Sequence, residues 1–106
     1  MAKTPEKKVK DKVGKILSSL GVYYFFVPAN GYGRAGVPDI VGCVDGMFIG
    51  IECKANGNKA TPLQIREIES IRAAGGAAAV VDEVNVEELS EWVRKIRSRK
   101  HENSNS

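Results

Sequence analysis

Three charged residues in the middle of the chain have the types and spacing that metal-assisted hydrolysis requires. Asp39 lies at the start of one apolar run, and Glu52 and Lys54 stand two positions apart at the end of the next. Between the runs, Asp45-Gly46 is a strong signal for a two-residue hairpin turn. Counting outward from that turn, Asp39 falls directly opposite Glu52, which predicts Cβ atoms about 4.5–5.5 Å apart on one face. Lys54 shares that face.

Two carboxylates held face to face repel each other, so this pairing needs a physical reason. A divalent cation between them supplies one, and oxygen ligands without histidine or thiolate favour Mg²⁺ or Mn²⁺. Lys54 can orient a water nucleophile or stabilise charge on a phosphate, so the set suits hydrolysis of a phosphodiester. In the alternative interpretation, Asp39 begins a strand after a turn, and Glu52 and Lys54 form an ordinary exposed pair.

A third acid and a glutamine can join this site. The first predicted helix carries Glu6 and Asp11. Glu6 continues the apolar stripe of that helix and can face a site at the sheet edge, whereas Asp11 points to solvent. The alternative for Glu6 is a first-turn acid favoured by the helix dipole. Gln64 matches a capping box with Thr61, and it can also contact the nucleophilic water or a phosphate.

Composition limits the classes of protein that remain. A chain of 106 residues is one domain. The one histidine, His101, lies in a polar tail, which excludes a Ser-His-Asp triad and a Cys/His zinc site. Two cysteines, Cys43 and Cys53, argue against a disulfide scaffold and for a reducing compartment. We find neither a secretory signal nor an apolar run that spans a bilayer, and we expect a cytoplasmic protein.

The charge pattern indicates a polyanionic partner. The net charge is +3, and the excess lies at the two ends of the chain. Such a distribution favours nucleic acid, although a lysine face kept for solubility explains it equally well. Tyr32 and Arg34, in a glycine-rich loop, are candidate contacts to phosphates or bases, unless the glycines only serve a tight turn. Lys7, Lys8 and Lys59 are further candidate DNA contacts.

Periodicity and turn signals predict the order α-β-β-β-α-β-α, an α/β fold with a mixed sheet flanked by helices. We expect a single domain over residues 1–96 and a disordered polar and basic tail over 97–106. The helices begin at Thr4-Pro5, at Thr61-Pro62 and near Asn85. The strands are predicted at Val22–Val27, which we expect to be buried, Pro38–Val44, Met47–Lys54 and Ala77–Val81.

Three short segments of the chain form a familiar ordered set: Gly36-Val37-Pro38-Asp39, Glu52-Cys53-Lys54 and Thr61-Pro62-Leu63-Gln64. This set resembles the VRR-NUC family of the PD-(D/E)xK nuclease superfamily. The predicted order of elements is also similar to that superfamily's core, and the resemblance runs from Thr4 to about Val81. It implies a restriction-endonuclease-like αβββαβ core and a divalent-metal-dependent DNA nuclease of the small stand-alone phage or bacterial type.

The resemblance also implies a role for each site residue. Mg²⁺ or Mn²⁺ would be the cofactor. Asp39, Glu52 and the backbone carbonyl of Cys53 would be metal ligands, Lys54 the catalytic lysine, Gln64 the active-site glutamine, and Glu6 the acid of the first helix and a further possible ligand.

We therefore expect a structure-directed DNA endonuclease, similar to Holliday-junction resolvases, in a bacterial or phage-infected host cell. Two alternatives stay open: a non-catalytic nucleic-acid-binding module on the same fold, and a nonspecific nickase or exonuclease. Cutting two strands in one encounter needs two sites related by symmetry, so we expect a homodimer. The apolar residues available for its interface are Tyr23, Phe25, Phe48, Trp92 and Val93.

Overall fold

The computed structural model describes the backbone of residues 3–28 and 33–104 and the side chains up to residue 99. None of the helices in this part of the chain is long and apolar enough to cross a membrane. In chain order the elements are α1 (Pro5–Ser19), β1 (Tyr23–Phe26), β2 (Ile40–Val44), β3 (Met47–Cys53), α2 (Pro62–Ala73), β4 (Ala77–Val81), a 3₁₀ turn (Val86–Glu88) and α3 (Leu89–Ser104).

The four strands form one mixed sheet in the order β1-β2-β3-β4. β1, β2 and β3 are antiparallel, and β4 runs parallel to β3. The predicted hairpin register is confirmed, because Val44 pairs with Met47 and Ile40 pairs with Ile51. Its turn residues, Asp45 and Gly46, have φ values of 48° and 88°, as a type I′ turn requires. Asp39 and Glu52 are therefore the next positions outward on the two strands.

The two faces of the sheet are covered differently. α1 and α3 pack on the inner face and close the hydrophobic core. α2 packs on the outer face, over β3 and β4. The buried side chains of the core include Val13, Leu17, Ile40, Val44, Ile49, Ile51, Cys53, Leu89, Val93 and Ile96. Because successive strand residues alternate between faces, Glu52 and Lys54 lie on the outer face, beside α2.

The structure corrects the prediction of a buried first strand. β1 is an edge strand, and Tyr23 and Phe25 are 70% and 50% exposed. The aromatic and β-branched residues that suggested burial do form a strand. However, the outer face of β1 lies outside the area that α2 covers, so its side chains there stay in solvent.

The last helix is longer than predicted. Disorder was expected from Arg97 onward, but α3 continues to Ser104. Arg97 donates a hydrogen bond of 2.7 Å to the carbonyl of Leu20, and its Nε lies 3.7 Å from Asp45. These contacts hold the helix against the body of the protein at the point where the apolar pattern ends.

The loop before β2 depends on one glycine. Gly36 has a φ of +88°, and a Cβ built on it would lie 2.7 Å from the backbone of Leu63 at the start of α2. A side chain here is opposed both by the left-handed backbone and by contact with main-chain atoms that cannot rotate away. The segment that leads to Asp39 is thereby packed against α2.

Gly36→Ala should lower the free energy of unfolding by about 2–4 kcal/mol, because it adds a clash to the cost of the left-handed backbone. Gly57→Ala is the matched control. Gly57 also has a positive φ of +76° but meets nothing within 4 Å, so its loss should be about 1 kcal/mol. Urea unfolding of both variants measures the difference, and equal losses would show that the contact with Leu63 is unimportant.

Candidate active site

Three carboxylates from separate elements meet where β2 begins and β3 ends. Glu6 comes from the first turn of α1, Asp39 from the bend before β2 and Glu52 from the end of β3. One carboxylate oxygen of each lies within 4.8 Å of the other two. The structure thus brings together the hairpin pair and the first-helix acid that the sequence analysis favoured.

Asp39 is held by contacts on both of its oxygens. Oδ2 accepts a hydrogen bond of 2.8 Å from the backbone N–H of Cys53, across the hairpin. Oδ1 lies 4.0 Å from the ammonium of Lys10. The carbonyl of Asp39 also accepts a hydrogen bond of 2.8 Å from the N–H of Val27. The side chain is therefore fixed in front of β3 by main-chain geometry rather than by a flexible partner.

Glu52 is the one buried charged side chain among the residues whose side chains are described, at 2% exposure. Its Oε2 accepts a hydrogen bond of 2.7 Å from Gln64 Nε2 and lies 3.6 Å from the ammonium of Lys54. Its Oε1 is buried and has no hydrogen-bond partner. A buried acceptor without a partner costs free energy, and a bound cation or hydrogen-bond donor at this oxygen would remove that cost.

The electrostatics of the site disfavour charge on Glu52. Burial raises the pKa of Glu52 to about 7, the negative charge of Asp39 adds to this effect, and the ammonium of Lys54 opposes it. Burial also raises the pKa of the Cys53 thiol to about 12. That thiol lies in the core on the inner face, so it is not a candidate ligand.

The donor set fits a divalent cation. Three carboxylates supply hard oxygen ligands, and the unpartnered oxygen of Glu52 is a built-in acceptor for positive charge. Glu6, Asp39 and Glu52 are the side chains that would hold the ion. Cys53 is the last residue of β3 and lies between Glu52 and Lys54 in the sequence, and the role of its carbonyl as a ligand stays a prediction.

The side chain of Gln64 contacts both the helix cap at Thr61 and the carboxylate of Glu52. Its Oε1 accepts a hydrogen bond of 2.8 Å from the N–H of Thr61, and Thr61 Oγ1 accepts one of 3.3 Å from the N–H of Gln64. The predicted capping box is therefore present. The same amide donates to Glu52, so Gln64 contacts the acidic cluster as well as capping the helix.

The candidate DNA contacts are distributed over the surface. Lys7, Lys8 and Lys59 are exposed, and Lys7 forms an ion pair of 2.9 Å with Asp11. Arg34 pairs with Glu67 at 3.1 Å on the side of α2. Tyr32 lies outside the described residues.

Asp11 stands apart from the acidic cluster, as the sequence predicts. Hydrogen bonds from Lys3 and Lys7 lower the pKa of Asp11 to about 2. Its carboxylate is thus engaged in surface ion pairs on α1, whereas Glu6 on the same helix faces Asp39 and Glu52.

The sequence analysis missed Lys10 as a site residue. Lys10 is only 23% exposed and is the cation beside Asp39. The signal was available, since Lys10 follows Glu6 by one helical turn and so shares its face. Beside these residues is an open cavity of about 410 Å³ lined by Thr4, Pro5, Glu6, Lys7, Lys10, Ala55, Asn56 and Asn58.

Comparison with known proteins shows which folds and sequences this chain resembles. The fold matches two solved structures, each described as a VRR-NUC domain, with a TM-score of 0.63 in both cases. The first is 24% identical and covers 91% of this chain and 97% of its own; the second is 19% identical and covers 88% of each. The chain matches no family model. The fold is therefore that of the VRR-NUC domain, as predicted.

The sequence is also similar to that of a phage protein. It is named "Putative nuclease p44", from Acyrthosiphon pisum secondary endosymbiont phage 1. It is 42% identical over 78 residues, which are 73% of this chain and 77% of the phage protein. The chain belongs to the family of this phage nuclease, and the predicted resemblance to VRR-NUC nucleases is confirmed.

The raised pKa of Glu52 makes the stability of the metal-free protein depend on pH. The Glu52 carboxyl binds its proton more tightly in the folded protein than in the unfolded chain, where its pKa has the ordinary value of 4.5. The resulting stabilisation is complete below pH 4.5 and is lost as the pH rises through about 7. In wild type, the free energy of unfolding should therefore fall by about 1–3 kcal/mol as the pH rises, and we expect this fall to be absent in Glu52→Gln.

Urea unfolding in EDTA, at a series of pH values, measures this effect as the difference between wild type and Glu52→Gln. The difference removes the contributions of all other titrating groups. Parallel stability curves for the two proteins would show that Glu52 titrates normally.

Proposed function

We propose that the protein is a divalent-metal-dependent DNA endonuclease that hydrolyses phosphodiester bonds and acts on branched DNA. The observation that carries the proposal is the buried Glu52 carboxylate, which has one oxygen without a partner and lies within 4.8 Å of two other acids. A fold keeps such a repulsive, desolvated cluster when a bound cation offsets its cost. The family of the phage nuclease supplies the reaction class.

Mg²⁺ or Mn²⁺ is the proposed cofactor, because every candidate ligand is an oxygen. Glu52, Asp39 and Glu6 would hold it, with the Cys53 carbonyl as a further ligand. When bound, such an ion activates water and neutralises charge that develops on the phosphate. The like-charge repulsion within the cluster also falls when the ion binds, so the site is stabilised in its working arrangement.

Lys54 is the proposed catalytic lysine. Its side chain is 12% exposed, and its ammonium is held 3.6 Å from Glu52 Oε2. It therefore presents a positive charge from the wall of the site, where it can orient the attacking water or stabilise the phosphate as charge grows. An ammonium has no lone pair to offer a metal, so Lys54 contributes to rate rather than to metal affinity.

The cavity beside Glu6 is the proposed path of the DNA strand. Lys7 and Lys10 contribute cationic groups to its wall, and Asn56 and Asn58 contribute amides. Such groups suit the phosphates on either side of a scissile bond. Lys8 and Lys59 are also exposed, and we expect affinity for DNA to fall steeply as salt rises.

The outer aromatic patch, formed by Tyr23, Phe25 and Phe48, supports a homodimer. These side chains are 70%, 50% and 49% exposed. Tyr23 aligns with Cys43, and Cys43 aligns with Phe48, so the patch is continuous across three strands. The other apolar candidates are occupied, because Val93 is fully buried and Trp92 packs against the core. A two-fold dimer would supply two metal sites for paired cuts.

We place the enzyme in the cytoplasm of a bacterial or phage-infected cell. Its phage relative and its free cysteines support this assignment. A nonspecific nickase or an exonuclease is compatible with the same site, whereas a non-catalytic binding module is disfavoured. Such a module has no use for the repulsive cluster of Glu6, Asp39 and Glu52.

Asp39→Asn and Glu52→Gln should each abolish cleavage while DNA binding is kept, because each removes a negative ligand without changing the shape of the site. Nicking of supercoiled plasmid with Mg²⁺ or Mn²⁺, against an EDTA control, measures the loss. Asp11→Asn is the matched control, and it should cut at nearly the wild-type rate, since Asp11 is engaged by Lys3 and Lys7.

Metal-dependent turnover in both site variants would overturn the assignment of the acids. Cutting of covalently closed circles separates an endonuclease from a strict exonuclease. A panel of duplex, flap, splayed-arm and four-way-junction DNA then tests the preference for branched structures. Equal rates on all of them would show that the enzyme is a nonspecific nickase.

Replacing Tyr23 and Phe25 together by serine should convert the dimer to a monomer of about 11.5 kDa in light scattering. Both side chains are exposed in one protomer, so the fold should be kept. Val84→Ser is the control, because Val84 is 84% exposed and outside the patch. A wild-type protein that is already monomeric and still makes paired cuts on a four-way junction would refute the dimer.

A further inference from the structure

The side-chain amide of Gln64 has only one favourable orientation. Its oxygen accepts from the main-chain N–H of Thr61 at 2.8 Å, and its NH₂ group donates to Glu52 Oε2 at 2.7 Å. Turning the amide over would set its oxygen against a carboxylate oxygen and its NH₂ group against an N–H donor. Both new contacts would be repulsive, so the chemistry of the two neighbours fixes the orientation.

The two oxygens of Glu52 are consequently unequal. Oε2 receives Gln64 and faces Lys54, whereas Oε1 is buried and unpartnered. A carboxylate with one oxygen occupied by donors cannot rotate freely, because rotation would break a short hydrogen bond inside the protein. The free lone pairs therefore stay on Oε1.

We propose that Gln64 is a positioning residue: the main-chain N–H of Thr61 orients its amide, and the amide holds Glu52 so that Oε1 stays available to a divalent cation. This role differs from contact with the attacking water or the phosphate. It rests on the proposed function, because it assumes that the acidic cluster binds a metal. The helix cap and the metal site would then share one side chain.

The choice of residue at position 64 fits this role. A glutamate caps a helix in this box as well as a glutamine does. At position 64, however, a glutamate would place a further carboxylate against Glu52 and would have no donor for it. Glutamine can accept a hydrogen bond from Thr61 and at the same time donate one to Glu52.

The test is Mn²⁺ binding to the protein without DNA, followed through the EPR signal of free Mn²⁺. Gln64→Met keeps the length of the side chain and removes its polar atoms. We expect its affinity for Mn²⁺ to fall about 10–100-fold, the usual effect of losing a group that orients a metal ligand. Plasmid nicking by this variant should recover toward the wild-type rate as Mn²⁺ is raised.

Two substitutions at Thr61 separate positioning from helix capping. Thr61→Ala removes the capping hydroxyl but keeps the N–H that orients Gln64, so stability should fall while Mn²⁺ affinity stays near wild type. Thr61→Pro also removes that N–H, and its φ of −74° already suits proline. We expect Mn²⁺ affinity to fall in this variant alone of the two.

The outcomes distinguish this inference from the function on which it rests. If wild type neither binds Mn²⁺ nor cuts DNA, the metal-dependent function fails, and the inference fails with it. If wild type binds Mn²⁺ and Gln64→Met binds it equally well, the positioning role alone is wrong. A slower rate that Mn²⁺ cannot restore, at unchanged affinity, would instead place Gln64 on the water or the phosphate.

Discussion

The burial of the Glu52 carboxylate is the constraint on which the rest of the site depends. Desolvation and the neighbouring Asp39 both oppose its charge, and its pKa is raised to about 7 as a result. The surrounding groups only partly offset this cost, because Gln64 and Lys54 both act on Oε2 and leave Oε1 unpartnered. The acidic cluster thus carries an electrostatic cost that a bound positive charge would lower.

The end of β3 connects this site rigidly to the core. Alternation along the strand sends Ile51 and Cys53 into the core, and it sends Glu52 to the outer face. The N–H of Cys53 then holds Asp39 across the hairpin. Neither acid can move without disturbing buried packing or a main-chain hydrogen bond, so the distance between them is set by the fold.

Much of this arrangement could be predicted from local signals. A two-residue turn at Asp45-Gly46, without a bulge, sets the register that brings Asp39 and Glu52 together, and the structure has that register. The spacing of Glu6 along α1 likewise indicated its direction. The burial of Glu52 could not be predicted in the same way, because it depends on how α2 packs across β3. The helical spacing places Lys10 on the same face as Glu6, but it does not reveal the contact with Asp39, which is distant in sequence.

The errors on β1 and α3 have a common cause. Aromatic and β-branched residues indicate a strand, but only the position of α2 decides which strands are covered on the outer face. α2 follows β3 and leads into the parallel β4, so it covers the far half of the sheet and leaves Tyr23 and Phe25 exposed. Similarly, the polar sequence after Ile96 lacks an apolar stripe, but Arg97 holds the helix through long-range contacts with the carbonyl of Leu20 and with Asp45. In both places, tertiary contacts decide what local composition leaves open.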